Sequence, residues 1–129
     1  MLPEESIFEA DLGDGDQAFA VMLPVDPHGE TLVAAPDNSP DSKALLQELC
    51  SHWPALWPKI LEKLLEGIAD YEAEVSLGED EFIGEVSRTQ KGEYMADKAD
   101  IFLRLEFENP PLWDAFIKGD ELVHFQAVY

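Results

Sequence analysis

The sequence predicts an α+β fold, in which two central helices pack on one face of an antiparallel sheet of five or six strands. Between Ser39 and Glu74, apolar residues recur at the spacing of an amphipathic helix, with charged residues on the opposite side. Residues Ile101–Phe107 instead alternate apolar and polar side chains, which is the pattern of a half-buried strand. Other short apolar segments are bounded by turn-forming residues. At 129 residues, the chain is expected to form one domain spanning residues 1–129.

Two strands are predicted near the N-terminus, at Ser6–Leu12 and Gln17–Leu23. The Gly13-Asp14-Gly15-Asp16 segment between them supplies the positive-φ positions that a tight hairpin requires. Residues Thr31–Ala34 fit a further short strand, which a proline-containing loop separates from the helical region.

Three acids in the first hairpin, Asp11, Asp14 and Asp16, resemble the start of a calcium-binding loop. Such a loop needs a longer series of oxygen ligands that ends in a bidentate glutamate. Ala18 and Phe19 stand where further ligands would be needed. The pattern therefore favours a turn, and the sequence predicts no metal site.

The central helical region begins with a capping signal. Ser39 is a suitable N-cap, and Pro40 suits the first helical position. Because a proline disfavours helical geometry at the preceding residue, Pro54 predicts that the first helix ends near His52. A second helix is then expected over residues 55–71, with a start at Pro54 after a kink, or at Pro58 as the first residue, as the alternatives. The apolar side of the region, which should face the sheet, comprises Leu45, Leu46, Leu49, Cys50, Trp53, Trp57, Ile60, Leu61, Leu64, Leu65 and Ile68.

The last third of the chain predicts the remaining strands. Phe82–Arg88 and Ile101–Phe107 are each followed by turn or loop residues. Trp113–Lys118 and Glu121–Val128 then fit a hairpin around Gly119-Asp120. The segment 112–117 with Gly119 behind it also fits a short helix with a glycine after its end. The hairpin is the preferred interpretation, and the helix stays open as the alternative.

Side-chain alternation would give this last hairpin two apolar faces. One would carry Trp113, Ile117 and Leu122, and the other Phe116, Val123 and Phe125. His124 would share a face with Gln126 and Leu122. One of the two faces should pack on the helices. The other needs a cover, which the N-terminal strands or a second copy of the chain could supply, so a homodimer is an alternative to a monomer.

Charge is the strongest compositional signal. The chain has 28 acids against eight Lys and Arg residues, a net charge of −20, and ten acids but no base precede Lys43. Such a surface repels phosphate backbones and anionic lipid, so neither nucleic-acid binding nor membrane association is expected. A basic protein partner fits this charge, although solubility alone would also explain it.

The sequence predicts a cytoplasmic protein. Cys50 is the only cysteine, so no disulfide can form within the chain. The N-terminal residues lack the basic and apolar regions of a signal peptide, and no apolar segment reaches the length of a membrane span.

Known catalytic and cofactor-binding patterns are missing from the sequence. It contains no phosphate-binding loop, dinucleotide glycine signature, nucleophile elbow or zinc pattern, so no catalytic residue and no cofactor is predicted. The leading expectation is a non-enzymatic, strongly acidic interaction domain of the immunity or inhibitor type, which binds a basic protein. The acids of the first hairpin, Asp11, Asp14 and Asp16, are candidate contacts for that partner.

The alternative expectation is a small enzyme or ligand-binding domain with a pocket between the sheet and the helices. Its candidate lining residues are Glu106, Trp113 and His124. Histidine and glutamate can exchange protons with a ligand, and tryptophan offers a large contact surface.

Overall fold

The computed structural model describes residues 7–11, 15, 17–25, 29–77, 80–93 and 95–128. In this part of the chain the elements are seven strands and one helix. They are β1 (Phe8–Asp11), β2 (Gln17–Pro24), β3 (Glu30–Ala34), α1 (Pro40–Asp70), β4 (Phe82–Arg88), β5 (Ile101–Phe107), β6 (Leu112–Lys118) and β7 (Glu121–Val128).

The seven strands form one sheet, in which spatial order follows chain order from β1 to β7. Neighbouring strands are antiparallel except β3 and β4, which are parallel and are connected through α1. A parallel pair requires such a crossover, so one βαβ unit joins two antiparallel groups of strands. The prediction of two helices on a sheet of five or six strands is therefore wrong, because the helical region is one element and the sheet is larger.

The helix begins at Pro40, behind the N-cap that the sequence predicted. Ser42 donates its backbone N–H to Ser39 Oγ at 3.2 Å and its hydroxyl to Asp37 Oδ1 at 2.6 Å. The backbone N–H of Ser39 donates to the same carboxylate oxygen at 3.0 Å. Hydrogen bonds from Ser39, and next from Ser42, hold the pKa of the Asp37 carboxyl below its ordinary value.

Pro54 and Pro58 lie inside α1 without ending it, so the predicted break near His52 is wrong. Each proline lacks the N–H that would bond to the carbonyl four residues earlier. Both prolines are on the exposed side of the helix, so their rings do not enter the core. On the buried side, Trp53 and Trp57 stack one turn apart with ring centroids 5.7 Å from each other. Packing of one continuous apolar side against the sheet overrides the local preference for a break.

The core lies between α1 and one face of the sheet. The helix contacts β2, β4 and β7, so it touches both halves of the sheet. The indole of Trp53 donates its N–H to the backbone oxygen of Pro24, at the end of β2, at 2.7 Å. Near the other end of α1, a Cβ on Gly67 would overlap the ring of Trp113 on β6. Fully buried side chains of this core include Leu23, Val33, Leu45, Leu49, Ile60, Leu64, Leu103 and Leu105.

The C-terminal segment forms the preferred hairpin, which confirms that prediction over the short helix. Ile117 pairs with Leu122, whereas Phe116 pairs with His124, so the register shifts between the two pairs. Val123 is thereby an extra residue on β7, as in a β-bulge.

The extra residue reverses the predicted alternation along the rest of β7. Phe125 consequently lies on the core face, where its ring stacks on Trp113 at 6.0 Å between centroids. The prediction that it shares a face with Phe116 is wrong for this reason. His124 does share a face with Gln126, to which its Nε2 is hydrogen-bonded at 3.2 Å, but Leu122 lies on the other face.

Candidate interaction surface

The sheet face opposite α1, here called the open face, has no described helix packed on it. Its side chains alternate along each strand with those that enter the core. All but two of its central members are at least partly exposed. They are Leu32 and Ala34 on β3, Ile83, Glu85 and Ser87 on β4, Phe102, Arg104 and Glu106 on β5, Asp114 and Phe116 on β6, and His124 and Gln126 on β7.

An ion pair with a buried carboxylate lies at the centre of the open face. Asp114 is 3% exposed and stands directly opposite Arg104 on the neighbouring strand. Arg104 donates from Nε to Oδ1 at 2.7 Å and from Nη2 to Oδ2 at 3.0 Å. This bidentate geometry offsets part of the cost of burying the carboxylate. The hydrogen bond to Asp114 raises the pKa of the Arg104 guanidinium above its ordinary value, although partial burial acts in the opposite direction.

Two further carboxylates flank this pair. Glu85 stands opposite Arg104 on β4, and Glu106 follows it by two residues on the same face of β5. Both interact with Arg104 through its charge, whereas the hydrogen bonds of the guanidinium go to Asp114. Three carboxylates against one guanidinium leave an excess of two negative charges at the centre of the face.

A row of rings crosses β5, β6 and β7 beside the ion pair. The rings of Phe102 and Phe116 have centroids 5.3 Å apart, and Phe116 and His124 follow at 5.8 Å. The guanidinium carbon of Arg104 lies 5.4 Å from the centroid of Phe102. This ring therefore already contacts one cation, as aromatic faces favour.

Two adjoining depressions occupy this face, and Ser87 and Phe102 line both. The first, called the aromatic cavity, has a volume of about 390 Å³. Its lining includes Ser87, Glu93, Phe102, Arg104, Phe116 and Gln126. The second, called the apolar groove, has a volume of about 360 Å³. Its lining includes Leu32, Ala34, Pro36, Ile83, Glu85 and Phe102.

The candidate acids of the first hairpin are only partly described. Asp11 is the last residue of β1, is exposed, and pairs with Gln17 in the sheet. Asp14 and Asp16 lie outside the described residues. The role of these three acids as contacts for a basic partner therefore stays a prediction.

The other three candidate residues do not line one pocket. Trp113 is 1% exposed on the core face, and its indole nitrogen has no hydrogen-bond partner among the described residues. Glu106 and His124 lie on the open face. Phe102 and His124 lie on one line across the strands, two strands and about 10 Å apart. Glu106 is four residues, or about 13 Å, away from that line along β5. The structure thus separates Trp113 from Glu106 and His124, and separates those two from each other.

Sequence reasoning missed the residues that form the ion pair and the neighbouring aromatic contact on the open face, namely Phe102, Arg104, Asp114 and Phe116. One signal could have found the ion pair. Asp114 is an acid inside an otherwise apolar strand, and a strand predicted beside it contains a single cation, Arg104. An acid at such a position must be paired if it is buried.

Within the described ranges, no three His, Cys, Asp or Glu side chains are grouped in a way that could hold a metal ion. The one described helix is not apolar enough to cross a membrane. Comparisons with protein-family models, with curated proteins and with solved structures gave no match for this chain.

Proposed function

We propose that this protein is a non-enzymatic interaction domain that binds a basic partner protein through the open face, as an inhibitor or immunity protein does. The observation that carries the proposal is the combination of apolar side chains and excess carboxylates on that face. Protein interfaces combine apolar surface with polar and charged groups. Ile83 is 45% exposed beside the apolar groove, which gives a partner apolar surface to bury.

The net charge of −20 supports the same proposal through the rate of encounter. A field of one sign accelerates association with a partner of the opposite sign, and salt reduces this acceleration. The buried, reduced Cys50 is compatible with the cytoplasmic location that belongs to this proposal.

A second candidate function, binding of a small molecule, is favoured by the volume of the aromatic cavity. About 390 Å³ lies within the range of ligand pockets. This cavity is on the open face, whereas the alternative drawn from the sequence placed a pocket between sheet and helices. A small ligand would occupy the cavity without needing the exposed apolar groove beside it.

The proposal can be tested by the kinetics of binding to immobilised candidate partners, chosen as the basic proteins encoded beside this gene. The test variant is Glu85→Gln/Glu106→Gln, which removes two charges from the open face. The matched control is Glu62→Gln/Glu66→Gln, which removes two charges from the exposed side of α1. Both variants have the same net charge, so any difference between them reports the location of the charge.

We expect the open-face variant to associate at least about fivefold more slowly at low salt, and the helix variant to remain near the wild-type rate. Raising the salt concentration should make the association rates of the two variants converge, because screening removes the electrostatic contribution to the rate. Equal effects of the two variants would show that only total charge matters, and would overturn the open face as the binding surface.

A further inference from the structure

We infer that the partner segment bound at the open face places an arginine side chain in the aromatic cavity and an aliphatic side chain in the apolar groove. This inference rests on the proposed function and specifies the chemistry of the partner. It starts from the two adjoining depressions, which differ in lining but share Ser87 and Phe102.

The charges at the aromatic cavity require a cationic occupant. The one cation in its lining, Arg104, is neutralised by Asp114, whose two oxygens both accept its hydrogen bonds. Glu93 also lines the cavity, and Glu85 lies at the adjoining groove. An incoming anion would meet these carboxylates at close range, whereas a cation would be attracted by them. The charge at this site is thus complementary to a basic side chain.

The shape of the lining favours arginine over lysine. The partly exposed ring of Phe102 lines this cavity and packs on the nearly buried ring of Phe116, with centroids 5.3 Å apart, so Phe102 offers aromatic surface to a flat group. A guanidinium is planar, stacks on such faces, and can form two parallel hydrogen bonds to one carboxylate. An ammonium is compact and more strongly hydrated, so it gains less from the same surfaces. The guanidinium carbon of Arg104 lies 5.4 Å from the centroid of Phe102, so this ring already accommodates one guanidinium within the protein.

The adjoining groove specifies the second side chain and its spacing. Leu32, Ile83 and Pro36 give this groove an aliphatic lining. The groove centres near β3 and β4 and the aromatic cavity near β5 and β6, which places them about two strand spacings, or about 10 Å, apart. A peptide in the polyproline II conformation has three residues per turn and rises about 3.1 Å per residue, so side chains three positions apart lie on the same side of it, about 9 Å from each other. An aliphatic residue and an arginine three positions apart therefore fit both depressions at once.

The inference can be tested by titrating the isotope-labelled protein with capped hexapeptides while recording amide chemical shifts. The probes carry one leucine and one arginine three positions apart in an alanine background, in both orders. Lysine and citrulline replace arginine in matched peptides, because lysine keeps the charge and citrulline keeps the planar shape. Phe102→Leu tests the aromatic contact, and Phe8→Leu, at an exposed ring on the distant β1, is the control substitution.

In at least one of the two orders, the arginine peptide should cause saturable shifts at the amides of Ser87, Phe102 and Gln126. Its dissociation constant should be about threefold lower than that of the lysine peptide and at least tenfold lower than that of the citrulline peptide. Phe102→Leu should remove the preference for arginine over lysine, and Phe8→Leu should leave it unchanged.

Equal binding of the arginine and lysine peptides, shifts confined to other parts of the sheet, or no saturable shifts up to 10 mM of the probe would overturn the inference. The proposed function would survive any of these results if Glu85→Gln/Glu106→Gln still slowed association with a basic protein. A different result would be that Glu85→Gln/Glu106→Gln associates as fast as Glu62→Gln/Glu66→Gln while the peptides bind as expected. The site would then bind arginine-containing peptides, and the proposal that the open face accelerates association with a basic protein would fail.

Discussion

At the scale of single residues, the Arg104–Asp114 pair neutralises one of the three carboxylates at the centre of the open face. Asp114 is the only buried acid among the described residues, and both of its oxygens depend on one guanidinium. Removing one partner of such a pair leaves an uncompensated buried charge, whereas replacing both partners by apolar groups can restore stability. The pair therefore links the stability of the sheet to the electrostatics of the surface.

We expect Arg104→Met to lower the free energy of unfolding by about 2–3 kcal/mol. This is below the 3–5 kcal/mol typical of fully buried pairs, because the Arg104 side chain is 32% exposed. The double variant Arg104→Met/Asp114→Leu should regain most of the loss. Urea denaturation of the single and double variants measures both effects. A double variant as unstable as Arg104→Met would show that the cost comes from lost packing of the arginine side chain and not from an unpaired carboxylate.

The candidate residues show how far sequence reasoning reaches at this scale. Alternation along Ile101–Phe107 separated Glu106 from the apolar side chains of that strand, but the pocket hypothesis put Glu106 on the helix side of the sheet, and the structure places it on the open face. Alternation could not place Trp113 relative to Glu106 and His124, because which face of each strand meets α1 depends on register across three strands. The ion pair was missed for the same reason, since its two residues meet only through the pairing of β5 with β6.

At the scale of elements, local patterns predicted the strands better than the helix. Phe82–Arg88 and Ile101–Phe107 have the predicted bounds, because their alternation and flanking turn residues are local signals. The continuity of α1 through Pro54 and Pro58 depends on burial against a distant sheet, which no local pattern reports. The bulge at Val123 had no turn residue to mark it, so the faces of β7 were assigned wrongly beyond that point.

The contact between α1 and β6 gives a prediction for Gly67. In an exposed helix, Gly→Ala stabilises by about 1 kcal/mol. Here the new methyl group would overlap the ring of Trp113, which is buried and cannot move aside freely. We expect Gly67→Ala to lower the free energy of unfolding by about 1–3 kcal/mol, as overpacked cores do. Chemical denaturation of the purified variant measures the change.

The control for this prediction is the same substitution in a Trp113→Phe background. The smaller ring leaves room for the methyl group, and the change also removes the indole N–H that has no described partner. Gly67→Ala should therefore cost at least about 1 kcal/mol less there than in the wild type. A stabilising Gly67→Ala in the wild-type background would mean that the end of α1 can move away from β6 without loss.

At the scale of the whole molecule, the imbalance of charge exceeds what local pairing can neutralise. Eight Lys and Arg residues can neutralise at most eight of the 28 acids. Several of the described ion pairs are on the surface, such as Lys63–Glu66 at 3.4 Å and Arg88–Glu48 at 2.6 Å, and such exposed pairs contribute little to stability. The remaining carboxylates repel one another across a small molecule, and this repulsion opposes the compact state.

We therefore expect the melting temperature to rise by on the order of 5 °C between 20 and 300 mM sodium chloride at pH 7.5, because added salt shortens the range of the repulsion. Calorimetry at several salt concentrations measures this rise. Choline chloride at equal ionic strength should give the same rise, since the effect requires screening and not a bound sodium ion. A flat or falling curve at pH 7.5 would mean that the acids are spaced or hydrated well enough for self-repulsion to have no influence on folding. The large negative charge would then act mainly on the encounter with the proposed partner, if that proposal passes its own test.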